Sequence, residues 1–231
     1  MASKLVFGTY KHKSTLNRRY NELIKAGIIH NTYKELIEMY MKEHTITNVT
    51  IDSTDIINAN CSKNETSRSF KLHKQALRST LICDENKIPV AYRTDKAQHN
   101  DSYLGYKLAR TLYIPDGKVH LLVGDKGYQM NKMKTEYLRI KNKLQLVVPK
   151  RQYKKRTYKT RNYKSKVKRI RHSTQMKKAL KNRIIIEHVN SVLHRSFKRL
   201  DRVFDKSISS FNGFMELAII CMILHNKHKT S

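Results

Sequence analysis

The chain has 231 residues, with 48 Lys and Arg against 18 Asp and Glu, a formal charge of +30 that points to a polyanionic partner. At 39% hydrophobic it has enough apolar material for a packed core, which excludes wholesale disorder. The longest apolar run, Leu217 to Leu224, is eight residues, far short of the roughly 20 of a spanning helix. No secretory leader is read in residues 1–12, and the scattered Cys61, Cys83 and Cys221 fit neither a disulfide framework nor a zinc site. A soluble intracellular protein in a reducing compartment is expected.

In chain order, Ser14 is placed as the N-cap of a helix carrying Leu16, Tyr20, Leu23 and Ile24, which Gly27 ends. A second helix runs through Tyr33, Leu36, Ile37, Tyr40 and Met41. Residues 1–46 thus read as a helical segment, either a partial helix-turn-helix or a structural pair. The pattern then switches to period two: Val49–Asp52 alternates, and Leu77–Cys83 and Ile88–Thr94 flank a hairpin turn at Asp84–Lys87. A helix over Asp101–Leu112, a buried strand Val119–Val123, a helix Met130–Ile140 and a strand Leu144–Val148 follow, the last stopped by Pro149. A basic insert over 150–172 precedes a long helix from about Ser173 to Leu200 and a final helix from about Ser207 to His225. Three consecutive strands and then alternation predict an α/β fold, a mixed five-stranded sheet flanked by helices, over 47–231.

From Lys150 to Arg183 sixteen of thirty-four residues are Lys or Arg, interleaved with Tyr153, Tyr158 and Tyr163. Lys150, Arg151, Lys154, Lys155, Arg156, Arg161, Lys168, Arg169 and Arg171 form a candidate phosphate-tracking arm; a basic loop with incidental tyrosines is the plainer reading.

Three carboxylates carry the candidate chemistry. Asp52 lies in the first strand, and Asp125 ends the fourth, before a glycine turn; strand carboxyl ends converge on one crevice, although either aspartate alone also suits a turn or cap. Glu187 shares a polar helix stripe with Arg183, Asn190, His194 and Lys198, beside an apolar stripe of Ile186, Val189, Leu193, Phe197 and Leu200. A helix-face glutamate is ordinarily just solvated, but the fifty residues between Glu136 and Glu187 hold nineteen Lys or Arg and no carboxylate.

Taken in order, Ile51-Asp52-Ser53-Thr54, His99-Asn100-Asp101, Gly124-Asp125-Lys126-Gly127-Tyr128, the Arg183/Glu187 pair and Phe197-Lys198-Arg199 resemble the DDE transposases of bacterial insertion sequences. The resemblance implies an RNase H-like catalytic domain with Asp52, Asp125 and Glu187 as catalytic metal ligands. Asp52 would bridge two Mg²⁺ ions, with Mn²⁺ as substitute, while Asp125 and Glu187 each hold one. It further implies strand cleavage at transposon ends, strand transfer into target DNA, double-stranded DNA as partner, homo-oligomers assembled on it, and no membrane. Lys126, Tyr128, Arg183 and Lys198 would then contact DNA beside the basic arm; Arg183 equally suits an i,i+4 pair with Glu187, and Asp101 a helix cap. Leu180 and His194 stand where the family often has Tyr and Lys. A transposase-derived DNA-binding protein without catalysis, or a metal-dependent endonuclease, are the alternatives.

Overall fold

The structure, a computed structural model, describes residues 12–112, 114, 117–149 and 174–230. Two helices, α1 (Lys13–Lys25) and α2 (Ile28–Glu43), are joined by Ala26 and Gly27 alone. Gly27 sits at φ 71°, where a side chain is strained; its N–H bonds to Ile24 O to close α1, and its carbonyl accepts from the Asn31 N–H to open α2. α1 is capped by His12 rather than Ser14: the imidazole accepts from the Ser14 backbone N–H. Along α2 the residues at helical spacing, Tyr33, Ile37, Tyr40 and Met41, are buried as expected.

The first strand, β1 (Asn48–Asn58), is eleven residues long, far beyond the expected four. Its polar second half hides the strand pattern because those side chains find partners across the sheet: Ser53 meets Thr80 and Tyr128, and Asp55 takes Arg78. β3 (Gln75–Cys83) and β4 (Pro89–Lys96) form the expected hairpin, after a two-residue β2 (Ser67–Arg68). At its turn the buried Asp84 accepts hydrogen bonds from the Ile88 N–H and the Tyr40 hydroxyl, which ties α2 to the sheet. β5 (His120–Val123) and β6 (Leu144–Val147) complete the order β2-β3-β1-β5-β6, with β4 paired to β3 and a two-residue β7 (Arg202–Val203) paired to β1. The sheet is mixed, β5 and β6 parallel to β1 and β3 antiparallel to it. It has seven strands rather than five because β2 and β7 are too short to carry any periodicity.

Alternation divides the sheet into two faces. Cross-strand partners share a face, so Asp52, Leu81 and Tyr92 lie together, and Ile51, Ile82 and Ala91 lie on the other side. α3 (Asp101–Ala109) packs against the Ile51 face. Its cap is Asn100, whose side chain accepts from the Tyr103 N–H, so Asp101 is not the cap. α4 (Lys132–Lys141) follows, capped by Asn131.

The long helix expected over 173–200 is broken into α5 (Thr174–Lys181), α6 (Ile184–Ser196) and a 3₁₀ turn at Lys198–Leu200. The two helices serve different apolar clusters. Ala179 of α5 packs on Leu121, Val123 and Val147, whereas α6 buries Ile186, Val189 and Leu193 in the main core. α7 (Ile208–Thr230) buries Phe211, Met215, Ala218, Ile219 and Ile223 in that same core. Its span Ile208–Asn226 has the length and composition to cross a membrane, yet its apolar face is the one that closes the core.

Candidate active site

Register places the first two carboxylates. Parallel pairing matches Asn48 to Leu121 and Thr50 to Val123, so Asp52 and Asp125 each lie two residues beyond the last pair, and the charge of Asp125 acts on Asp52. Gly124 lets the chain turn where it passes Ile51 and Tyr128: a Cβ there would stand 3.0 Å from Ile51 and 3.1 Å from Tyr128. Asp125 then opens a 3₁₀ turn, Lys126–Tyr128, and its Oδ1 accepts the Gly127 N–H at 2.6 Å, which fixes the carboxylate.

Burial pushes the Asp52 carboxyl up from 3.8 to about 6; the nearby charges of Asp125 and Asp101 act the same way, opposed by the Ser53 backbone hydrogen bond and by Arg183. Asn190 of α6 donates to Asp52 Oδ2 at 3.3 Å. The elements thus bring together Asp52, Asp125, Arg183 and Asn190.

A second network backs the pair from the opposite face. Arg78 donates to both oxygens of Asp55, to the His99 carbonyl and to Asp101 Oδ1 at 3.1 Å. Asp101 in turn approaches Asp125 across Gly127, where a Cβ would meet Asp101 Oδ2 at 2.8 Å and Asp125 Oδ1 at 2.9 Å. Burial raises the Asp101 carboxyl, Arg78 pulls it down, and Asp125 pushes it up again. Arg78, Asp55 and Asn190 were missed as site residues. Asn190 was visible on the polar stripe, but nothing local marks Arg78, whose partners lie 23 residues away on either side along the chain.

Glu187 is bracketed on its stripe by Arg183 and Asn190, both of which address Asp52, but its side chain is 59% exposed and pairs loosely with Arg183 at 3.8 Å. Among the described residues no three Asp, Glu, His or Cys side chains are gathered closely enough to hold one metal ion. The Asp52/Asp125 oxygens suit a hard divalent cation, which would relieve their mutual repulsion; Glu187 would have to turn inward to join them.

Of the expected DNA contacts, Lys126 and Lys198 are exposed, and the charge of Arg183 acts on Asp52. Tyr128 is a correction. Its side chain is 1% exposed and its hydroxyl meets Ser53 at 2.6 Å, so it is a core residue under the site and not a surface contact. Lys150, Arg151, Lys154, Lys155, Arg156, Arg161, Lys168, Arg169 and Arg171 lie outside the described residues.

A mixed α/β sheet with one aspartate in a central strand and another just past the end of its parallel neighbour, carried by a strongly basic chain, has the form of a nucleic-acid-processing domain of RNase H-like type. The chain matches the family model of the transposase DDE domain over residues 45–226 and belongs to that family. No match was found among curated proteins or among solved structures. Membership makes this a transposase-type protein of a class whose general activity is polynucleotidyl transfer, whose partner is DNA and whose general requirement is a divalent metal.

Proposed function

We propose that the chain cleaves DNA at transposon ends and joins the freed 3′ ends to target DNA, with Asp52 and Asp125 as the fixed pair of metal ligands and Glu187 as the third. The observation that supports this reading is the β1–β5 register, which leaves each aspartate two residues past the last paired position, with the charge of Asp125 acting on Asp52. When bound, two Mg²⁺ or Mn²⁺ ions would activate the attacking hydroxyl and stabilise the leaving oxygen. The chain supplies the rest. The Gly127 N–H holds Asp125 in one rotamer, Asn190 steadies Asp52, and Arg183 sets a positive charge where a phosphate would lie. Lys126, exposed beside Asp125, and Lys198 would grip the strand on either side. Two ends joined in one event call for more than one subunit on the DNA.

Mg²⁺-dependent nicking and joining of end-bearing duplexes should fall at least about 100-fold in Asp52→Asn, Asp125→Asn and Glu187→Gln, a loss of about 2.7 kcal/mol in transition-state stabilisation. Chelation should abolish both steps, while DNA affinity persists throughout. The exposure of Glu187 favours a second reading, a DNA-binding protein that has lost catalysis. Full activity in Glu187→Gln beside dead aspartate variants would remove Glu187 from the triad; no metal-dependent cutting by the unaltered protein would establish the binder.

A further inference from the structure

On the surface that α3 and α4 share, tyrosines and cations are stacked in alternation. Lys107 Nζ lies 4.4 Å from the Tyr103 ring centroid. Arg110 lies over both Tyr106 and Tyr137, at 5.6 and 5.2 Å, and Lys134 over Tyr106 at 5.1 Å. The two central rings meet edge to face at 6.2 Å, joining the helices. The spacing explains the pattern: Tyr103/Lys107 and Tyr106/Arg110 are i,i+4 pairs on one face of α3.

The neighbouring carboxylates are engaged elsewhere, Asp101 with Arg78 and Glu136 with Arg139. Among the described residues none of Lys107, Arg110 and Lys134 has an ion-pair partner. Three cations held upright on aromatic rings have already lost much of the side-chain entropy that gripping a phosphate would cost. The faces of the rings carry cations, so bases cannot stack there in the manner of single-strand platforms. The surface therefore suits the backbone of a duplex.

Its position suits it too. α3 begins at Asp101, against Asp125, and its nine residues rise about 13 Å, the length of about four base-pair steps.

We propose that Tyr103, Tyr106, Lys107, Arg110, Lys134 and Tyr137 form a phosphate-gripping platform for duplex DNA leading away from the cleavage site, distinct from the basic segment 150–171. This rests on the transposase reading, but its test is binding and does not need catalysis. The full-length chain is titrated with a fluorescent duplex across a series of salt concentrations. Lys107→Gln/Arg110→Gln/Lys134→Gln should lower the slope of log K against log salt by about 2–3, near 0.9 for each phosphate no longer neutralised. Tyr106→Leu/Tyr137→Leu, which removes no charge, should weaken binding several-fold, and Tyr106→Phe/Tyr137→Phe should restore it. The exposed Met133 and Ile140 beside Tyr137 make an anionic membrane the rival partner. Affinity and slope unchanged in the triple variant overturn the platform. So does loss of binding to phosphatidylserine-containing vesicles while duplex binding is kept. An unaltered protein that binds duplex with the full slope but never cuts leaves the platform standing and overturns the enzymatic reading instead.

Discussion

Asp52 holds its charge against burial and two like neighbours, so its carboxyl titrates near 6 in the folded metal-free protein against 3.8 ordinarily. Because the folded value is the higher one, the group's contribution to stability is fully present below about pH 4 and is lost as pH rises through 6. Urea melts in chelator should therefore show Asp52→Asn more stable than the parent by on the order of 2 kcal/mol at pH 7, with the gap closing near pH 4. A gap of equal size at both pH values would mean that charge is not its cause. Under the site, Gly105 admits the Tyr128 ring so closely that a Cβ would stand 2.5 Å from it. That ring is buried, so Gly105→Ala should cost about 1–3 kcal/mol in the same melts.

At the scale of elements, Arg78 fastens β3 to β1 and to the start of α3 through a bidentate grip on Asp55, whose side chain is 3% exposed. Arg78→Leu leaves that carboxylate buried and unpaired, and a loss of about 3–5 kcal/mol is expected in chemical unfolding. Arg78→Leu/Asp55→Leu should recover part of it; no recovery would show that the charge was not the fault. Arg78 also shows where local reading stops. The places of Asp52 and Asp125 were legible because an alternating strand marks the first and a strand end with a glycine turn the second, whereas a cation whose partners are distant along the chain carries no local sign. The break between α5 and α6 was illegible for a related reason. Neither Gly nor Pro stands at Asn182–Arg183, and the helix divides because its halves face different apolar clusters. Tyr128 was misread because the motif gave its position and not its burial.

At the scale of the whole molecule, the hairpin strands, α2 and α7 were readable from periodicity, since each sends apolar residues into the main core. The two-residue strands and the pairing order depend on contacts that no short window contains. The net charge of +30 is partly concentrated in residues 150–183, and neutralising the arginines and lysines of 150–171 should weaken binding almost uniformly across DNA sequences. Sharply sequence-selective loss in competition assays would instead mean that this segment reads bases.

The β1–β5 register has one more consequence. Its partners are seventy-three positions apart (121 − 48), and parallel pairing over such a distance forms late in folding. As the polypeptide leaves the ribosome, the first aspartate appears long before its companion and has nothing with which to share a cation. On the proposed chemistry, the power to break DNA cannot arise before the second strand has been made, and fragments lacking either strand are born harmless.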